Sequence, residues 1–349
     1  MSLGSLNHIY QRYRTLKTHQ ISALPIVILM PHSACNCRCV MCDIWKDNKN
    51  LKQLTEQDIS GLFSALKQFG TKQVLMSGGE ALLNQNFFKL CEILKNAGIK
   101  VTLLTTGLTI KNHAEQILRW VNDVIVSLDG DQQLHDAIRN IPGAYIKLKE
   151  GVQYLKSLNP GYRVTARTVI HRLNFWNWAS IIYKAKEMGI DQISFLPADV
   201  SSHAFNRQMA WEEPRQSEIL LSKNELAELK AIATRIIAEC SEDFHSGFIA
   251  ESPEKIMNIY YYYAAFYGLN PFPYKKCNAP WVSTVIEADG NVRPCFFHDV
   301  IGNIRDSSLT GILNSDEAIN FRRSLNTHTN ATCVKCVCSL NLSPLTKLA

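Results

Sequence analysis

The chain has 349 residues, 46% hydrophobic and 19% charged, a balance that suits one large globular domain with a smaller one beside it. No apolar run approaches the ~18 residues needed to cross a bilayer, and the run IVILM at 26–30 is too short for a secretory signal core. A net charge of +6 over this length gives no reason to expect nucleic acid as a partner.

Residues 8–19, HIYQRYRTLKTH, are basic and acid-free; the first acidic residue is Asp43. We expect a basic N-terminal extension over 1–23, helical and packed on the body. Short β-rich runs then alternate with helical patterns. The strand candidates are Ile26–Leu29, Gln73–Met76, Val101–Thr105, Asp123–Ser127, Arg163–Ile170 and Gln192–Leu196. Most are continuous Val/Ile/Leu runs, as in parallel strands covered on both faces. A helix opens at Thr55 with Asp58 three residues on, a capping-box-like start, and ends near Gly70. Others are expected over about 86–96, 111–120, 145–158, 176–188 and, past a polar insertion at 198–222, about 223–240. Six strand–helix units with right-handed crossovers give an α/β fold, a partial (β/α)6 TIM-like barrel over 24–240. Chemistry in such folds gathers at the C-terminal ends of the strands.

A linker over 241–276 follows. Its aromatic stretch at 258–274, NIYYYYAAFYGLNPFPY, is expected to wedge between two subdomains rather than to stack a ligand. Residues 282–296 read as a hairpin turning at Asp289-Gly290, inside a small cysteine-rich subdomain over 277–349.

Eleven cysteines in a chain without secretory signals suggest metal ligands in a reducing, cytoplasmic setting rather than disulfides. Four crowd into SACNCRCVMC at 33–42. Cys35, Cys39 and Cys42 stand in C-x3-C-x2-C at the end of the first strand, and three thiolates on one loop can hold three irons of a 4Fe–4S cubane, leaving the fourth open. Spacing alone leaves zinc as an alternative. Cys37 falls outside the spacing and is expected to point away. The second strand ends in Ser77-Gly78-Gly79-Glu80, where glycines allow close backbone approach and a carboxylate can accept from an ammonium group. The fourth ends in Ser127-Leu128-Asp129-Gly130, with His135-Asp136-x-x-Arg139 after it. Late in the chain, Cys277, Cys295, Cys333 and Cys336 suit a zinc ribbon or a second cluster, and Cys338 could replace Cys336. Cys91 and Cys240 read as structural thiols.

Together the cysteine loop, SGGE and VSLDG with HD-x-x-R resemble the radical S-adenosylmethionine (radical SAM) enzymes over about residues 24–200. Two positions depart from that pattern: Met41 stands where an aromatic residue is common, and Ala81 where Pro is usual. The resemblance implies that the open iron binds the amino and carboxylate groups of S-adenosyl-L-methionine. It further implies that Glu80 and the backbone of Gly78 and Gly79 hold the ammonium, that Ser127 lies near the carboxylate or ribose, and that Arg139 assists. The late cysteines resemble a twitch module, the short form of the SPASM domain, with one auxiliary 4Fe–4S cluster. The expected function is radical hydrogen abstraction from a small molecule, because only 34 residues precede Cys35, too few for a peptide-recognition domain. A reductant such as flavodoxin or ferredoxin is implied. The alternatives are a peptide-modifying maturase and, in another class, a non-enzymatic iron–sulfur or zinc protein.

Overall fold

Strands follow the apolar runs closely in this computed structural model, which describes residues 3–207 and 209–346. Six parallel strands, β1 (Ile26–Leu29), β2 (Gln73–Met76), β3 (Lys100–Thr105), β4 (Asp123–Ser127), β5 (Val164–Ile170) and β6 (Gln192–Pro197), pair in sequence order. Side-chain alternation sorts the two faces. Val27, Leu29, Val74 and Met76 join the main core under the helices, whereas Ile26, Ile28 and Leu75 face the concave side. On that concave face Ser127, Arg167 and Ser194 stand side by side, since Ser127 is the register partner of Arg167 and Arg167 of Ser194.

The crossover helices are α2 (Glu56–Gln68), α3 (Phe87–Asn96), α4 (Ala114–Trp120), α6 (Ala144–Leu158) and α7 (Trp178–Glu187), with a short α5 (Gln132–Arg139) before α6. The capping box of α2 forms as its sequence predicts: Asp58 donates its backbone N–H to the Thr55 hydroxyl and accepts from the Thr55 N–H. The N-terminal helix α1 (Leu3–Thr18) packs on the body, its buried Arg12 donating to the carbonyls of Ser343 and Thr346.

The C-terminal region extends the barrel sheet. Strand β7 (Ser283–Ile286) pairs parallel with β1, and β8 (Asn291–Arg293) and β9 (Gly302–Asn303) continue antiparallel, completing a nine-stranded sheet. The β7–β8 turn falls at Asp289-Gly290, where Gly290 takes φ +89°. The final segment crosses the concave face, with Leu340 and Leu342 packed against Ile26, Ile28 and Leu75. The aromatic stretch begins as a helix, Pro253–Ala265, lying along β6; Tyr263 donates to Ile170 O and accepts from Ala198 N. Tyr262 meets Phe272 and the Lys275 ammonium, and Lys275 reaches Cys336 O, so the stretch wedges between barrel and C-terminal region. Among the described residues no helix is long and apolar enough to cross a membrane.

Candidate active site

The cysteine loop leaves β1 and is held on both sides. Asn48 accepts from Cys35 N at 3.0 Å and donates to Cys35 O at 2.9 Å. Across the loop, Arg38 N and Val40 N donate to the carbonyls of Arg139 and Ile138 at the end of α5. Trp45 Nε1 donates to Cys42 O at 2.8 Å. The Cys42 thiol is pushed up to about 12, first by burial and then by the fields of Cys39 and Cys35. Cys37 does not turn away as expected. It is buried, and its N–H donates to Cys35 Sγ at 3.4 Å. A small apolar thiol on so tight a loop finds its place inside.

The SGGE turn serves this loop. A Cβ on Gly79 would collide with the Ala34 carbonyl, and one on Gly78 would lie 3.2 Å from Met30 Cβ; Gly78 also takes φ +111°. Glu80 N then donates to Ala34 O at 2.9 Å. The Glu80 carboxylate, expected to meet the cofactor ammonium, has partners within the chain. It is fully buried and already accepts from Thr105 Oγ1, Thr106 N, Thr106 Oγ1 and Leu82 N at 2.7–3.2 Å. Burial raises its pKa while the Thr106 donors oppose that shift. Glu80 is a brace between the ends of β2 and β3.

Arg139 is likewise held by groups of the chain itself. Its Nε donates to buried Asp129 at 2.6 Å and its Nη1 lies 3.5 Å from Cys39 Sγ. Burial works against its charge, but Asp129 and then the Cys39 and Cys37 thiols outweigh that and raise its pKa. The rest of HD-x-x-R supports the same corner: His135 Nδ1 accepts from Asp129 N, and Asp136 accepts from Gly143 N and Tyr145 N at the start of α6. Ser127 ends β4 half-buried on the concave face.

The second thiol set lies at the other end of β7. Cys277 precedes the turn into β7, and Cys295 follows β8, whose Arg293 is opposite Val285. Burial pushes Cys295 up to about 12 and Cys333 to about 11, with the field of Cys277 acting on both. Cys336 feels Cys338 and Cys295, and its thiol donates to Cys338 O at 3.0 Å. Cys338 is open to solvent although burial dominates the upward shift of its thiol; Arg167 and Lys275 pull the other way. Cys91 is buried and Cys240 half-buried, each away from both sets.

Between the sets stands the 198–222 insertion, whose roles the sequence did not reveal. Its buried Asp199–Arg207 ion pair closes at 2.6 Å; the guanidinium acts on Cys42 and the carboxylate on Cys338. Phe205 and Asn206 take left-handed φ of 64° and 62°, a cost that swings Phe205 onto Phe296 and Phe297 beside Cys295.

Comparison with known proteins agrees with this arrangement. The family model for the radical SAM superfamily matches residues 29–182, and that for the SPASM iron–sulfur cluster-binding domain matches 277–337. The Fe-coproporphyrin III synthase of Methanosarcina barkeri is 24% identical over 309 residues, covering 83% of this chain and 76% of the relative. The PqqA peptide cyclase of Bradyrhizobium diazoefficiens is 24% identical over 319 residues, 88% of this chain and 77% of the relative. Among solved structures, Streptococcus suis SuiB bound to S-adenosylmethionine superposes with a TM-score of 0.64 at 15% identity, covering 95% of this chain and 76% of SuiB. SuiB has also been solved with its precursor peptide SuiA. The chain therefore carries a radical SAM domain over residues 29–182 and a C-terminal SPASM iron–sulfur cluster-binding domain over 277–337.

Proposed function

We propose that Cys35, Cys39 and Cys42 hold the radical-generating cluster and that Cys277, Cys295, Cys333 and Cys336 hold one auxiliary cluster. Among the described residues no three His, Cys, Asp or Glu side chains close on a single metal ion. The donor sets suit a cubane, which takes each thiolate on a separate iron. When bound, the reduced first cluster supplies the electron that splits S-adenosylmethionine, and the resulting 5′-deoxyadenosyl radical removes a hydrogen atom from substrate. The protein's part is to position and enclose. With Glu80 committed to Thr105 and Thr106, the carbonyls of Gly78 and Gly79 are left to accept from the cofactor ammonium, and Ser127 Oγ to meet its carboxylate or ribose. Arg139 and Glu80 fix the loop on which the thiols stand.

The observation that carries this reading is the placement of the two thiol sets at opposite ends of the parallel β1–β7 pair, the first beyond the end of β1 and the second before the start of β7. The insertion after β6 meets both sides, through Trp211 on Asp43 next to Cys42 and Phe205 on Phe296 next to Cys295. A substrate lying between them can lose a hydrogen atom at one end and an electron toward the other. We infer a peptide as that substrate, in place of the small molecule expected from the short N-terminal segment. The likeness to a peptide cyclase and the fold shared with SuiB support it. A tetrapyrrole is the second reading, favoured by the likeness to Fe-coproporphyrin III synthase. A low-potential flavodoxin or ferredoxin would be the reductant, in the cytoplasm.

The test is 5′-deoxyadenosine release by reconstituted, reduced protein offered short peptides or iron–coproporphyrin III. Stimulation by a peptide, with loss of hydrogen mass from it, is expected. Stimulation by the porphyrin alone would transfer the assignment to the second reading.

A further inference from the structure

Cys333 has a neighbour that is not a cysteine. His298 Nε2 lies 3.4 Å from Cys333 Sγ. The histidine is held from several directions. Its backbone N–H donates to Cys295 O at 3.3 Å, and its carbonyl accepts from Arg293 Nη1 at 2.9 Å. Arg293 is in turn fixed by Glu287 at 3.0 Å across the hairpin. The ring meets Phe321 edge-on, centroids 5.0 Å apart, on the helix Asp316–Ser324. One residue thus joins the hairpin carrying Cys295 to the segment carrying Cys333, and its half-buried ring has little room to swing.

Chemistry fixes the direction of the contact. A cysteine bound to iron is a thiolate; it has no proton to give and can only accept. The ring must then present Nε2–H to sulfur. Such a bond withdraws electron density from the thiolate and favours the reduced, more negative cluster, so it raises the reduction potential.

We propose that His298 is a positioning and tuning residue for the auxiliary cluster: its Nε2–H donates to the Cys333 thiolate and sets that cluster's potential above the value its four thiolates alone would give. The inference rests on the reading of Cys333 as an iron ligand.

The test uses the full chain with Cys35, Cys39 and Cys42 changed to Ala, so that only the auxiliary cluster reports. Iron content and an EPR-monitored redox titration are compared for this protein and its His298→Ala and His298→Gln derivatives. Iron should stay at about four per chain in all three, the number in one cubane. The potential should shift negative in His298→Ala and return toward the parent in His298→Gln, whose amide keeps an N–H donor. An unchanged potential in His298→Ala would overturn the proposal. Loss of the irons from it would also do so, by making the histidine a ligand or a structural prop. A separate Cys333→Ala derivative checks the reading beneath: if it keeps all its iron, the ligand assignment has failed, whatever His298 does.

Discussion

Trp211 Nε1 donates to Asp43 Oδ2 at 2.7 Å, fastening the insertion after β6 to the residue that follows Cys42. The Arg207 and Arg215 guanidinium groups lie 3.9 and 4.6 Å from the indole centroid, and Arg215 also donates to Val40 O. The insertion is therefore built onto the cysteine loop from outside, while Arg139 and Glu80 support it from within. Trp211→Phe keeps most of the stacking and deletes the donor. We expect urea denaturation to show a loss of about 1.5–3 kcal/mol, the range for a hydrogen bond to a charged group. Iron should fall at the first site and stay at the auxiliary one. Unchanged stability would mean that the bond is incidental.

Glu80 gives the second prediction. Removing a buried carboxylate that serves four donors strands the Thr105 and Thr106 hydroxyls and two backbone N–H groups. Glu80→Ala should cost about 3–5 kcal/mol, as when one partner leaves a buried charged network. It should reduce iron loading together with cofactor affinity. A variant with wild-type stability and iron but weakened S-adenosylmethionine binding would restore the simpler role expected from the sequence.

Asp129 and Arg139 allow a double-mutant cycle. Arg139→Gln leaves a buried carboxylate without its cation and should destabilise by about 3–5 kcal/mol. Adding Asp129→Asn should recover part of that, because the two share one interaction. Additive losses, measured by denaturation, would show that the two side chains do not depend on each other.

Much of this architecture is legible in the sequence because its signals are local. β1, β2 and β4 begin and end where their apolar runs do. The Thr55 box marks the start of α2 unambiguously, and the three-cysteine spacing marks the loop. Other features depend on contacts remote in sequence. Nothing in Ser283–Ile286 announces that it pairs with β1 some 250 residues away, so the joining of the C-terminal subdomain to the barrel sheet was not legible. The partners of Glu80 and Arg139 were hidden for a related reason. A carboxylate or guanidinium near a strand end looks available for a ligand until its partners, Thr105 with Thr106 and Asp129, are placed around it. Trp211 and Arg207 carried no spacing signal, and His298 gave no sign of its meeting with Cys333.

Gly79 supplies a fourth prediction. Because a Cβ there would strike the Ala34 carbonyl, Gly79→Ala must displace the cysteine loop from β2. The first site should lose iron and S-adenosylmethionine cleavage, and the auxiliary irons should remain. Full iron at the first site would show that the loop can move without cost.

The central claim is that two separate thiol sets serve one reaction and that only the first generates the radical. Release of 5′-deoxyadenosine without substrate, compared between two reconstituted variants, tests it most directly. The Cys333→Ala, Cys336→Ala protein should keep slow release, since its barrel site is whole; the Cys35→Ala, Cys39→Ala, Cys42→Ala protein should give none. Release from the triple variant, or its absence from the double variant despite a loaded first site, would contradict the account.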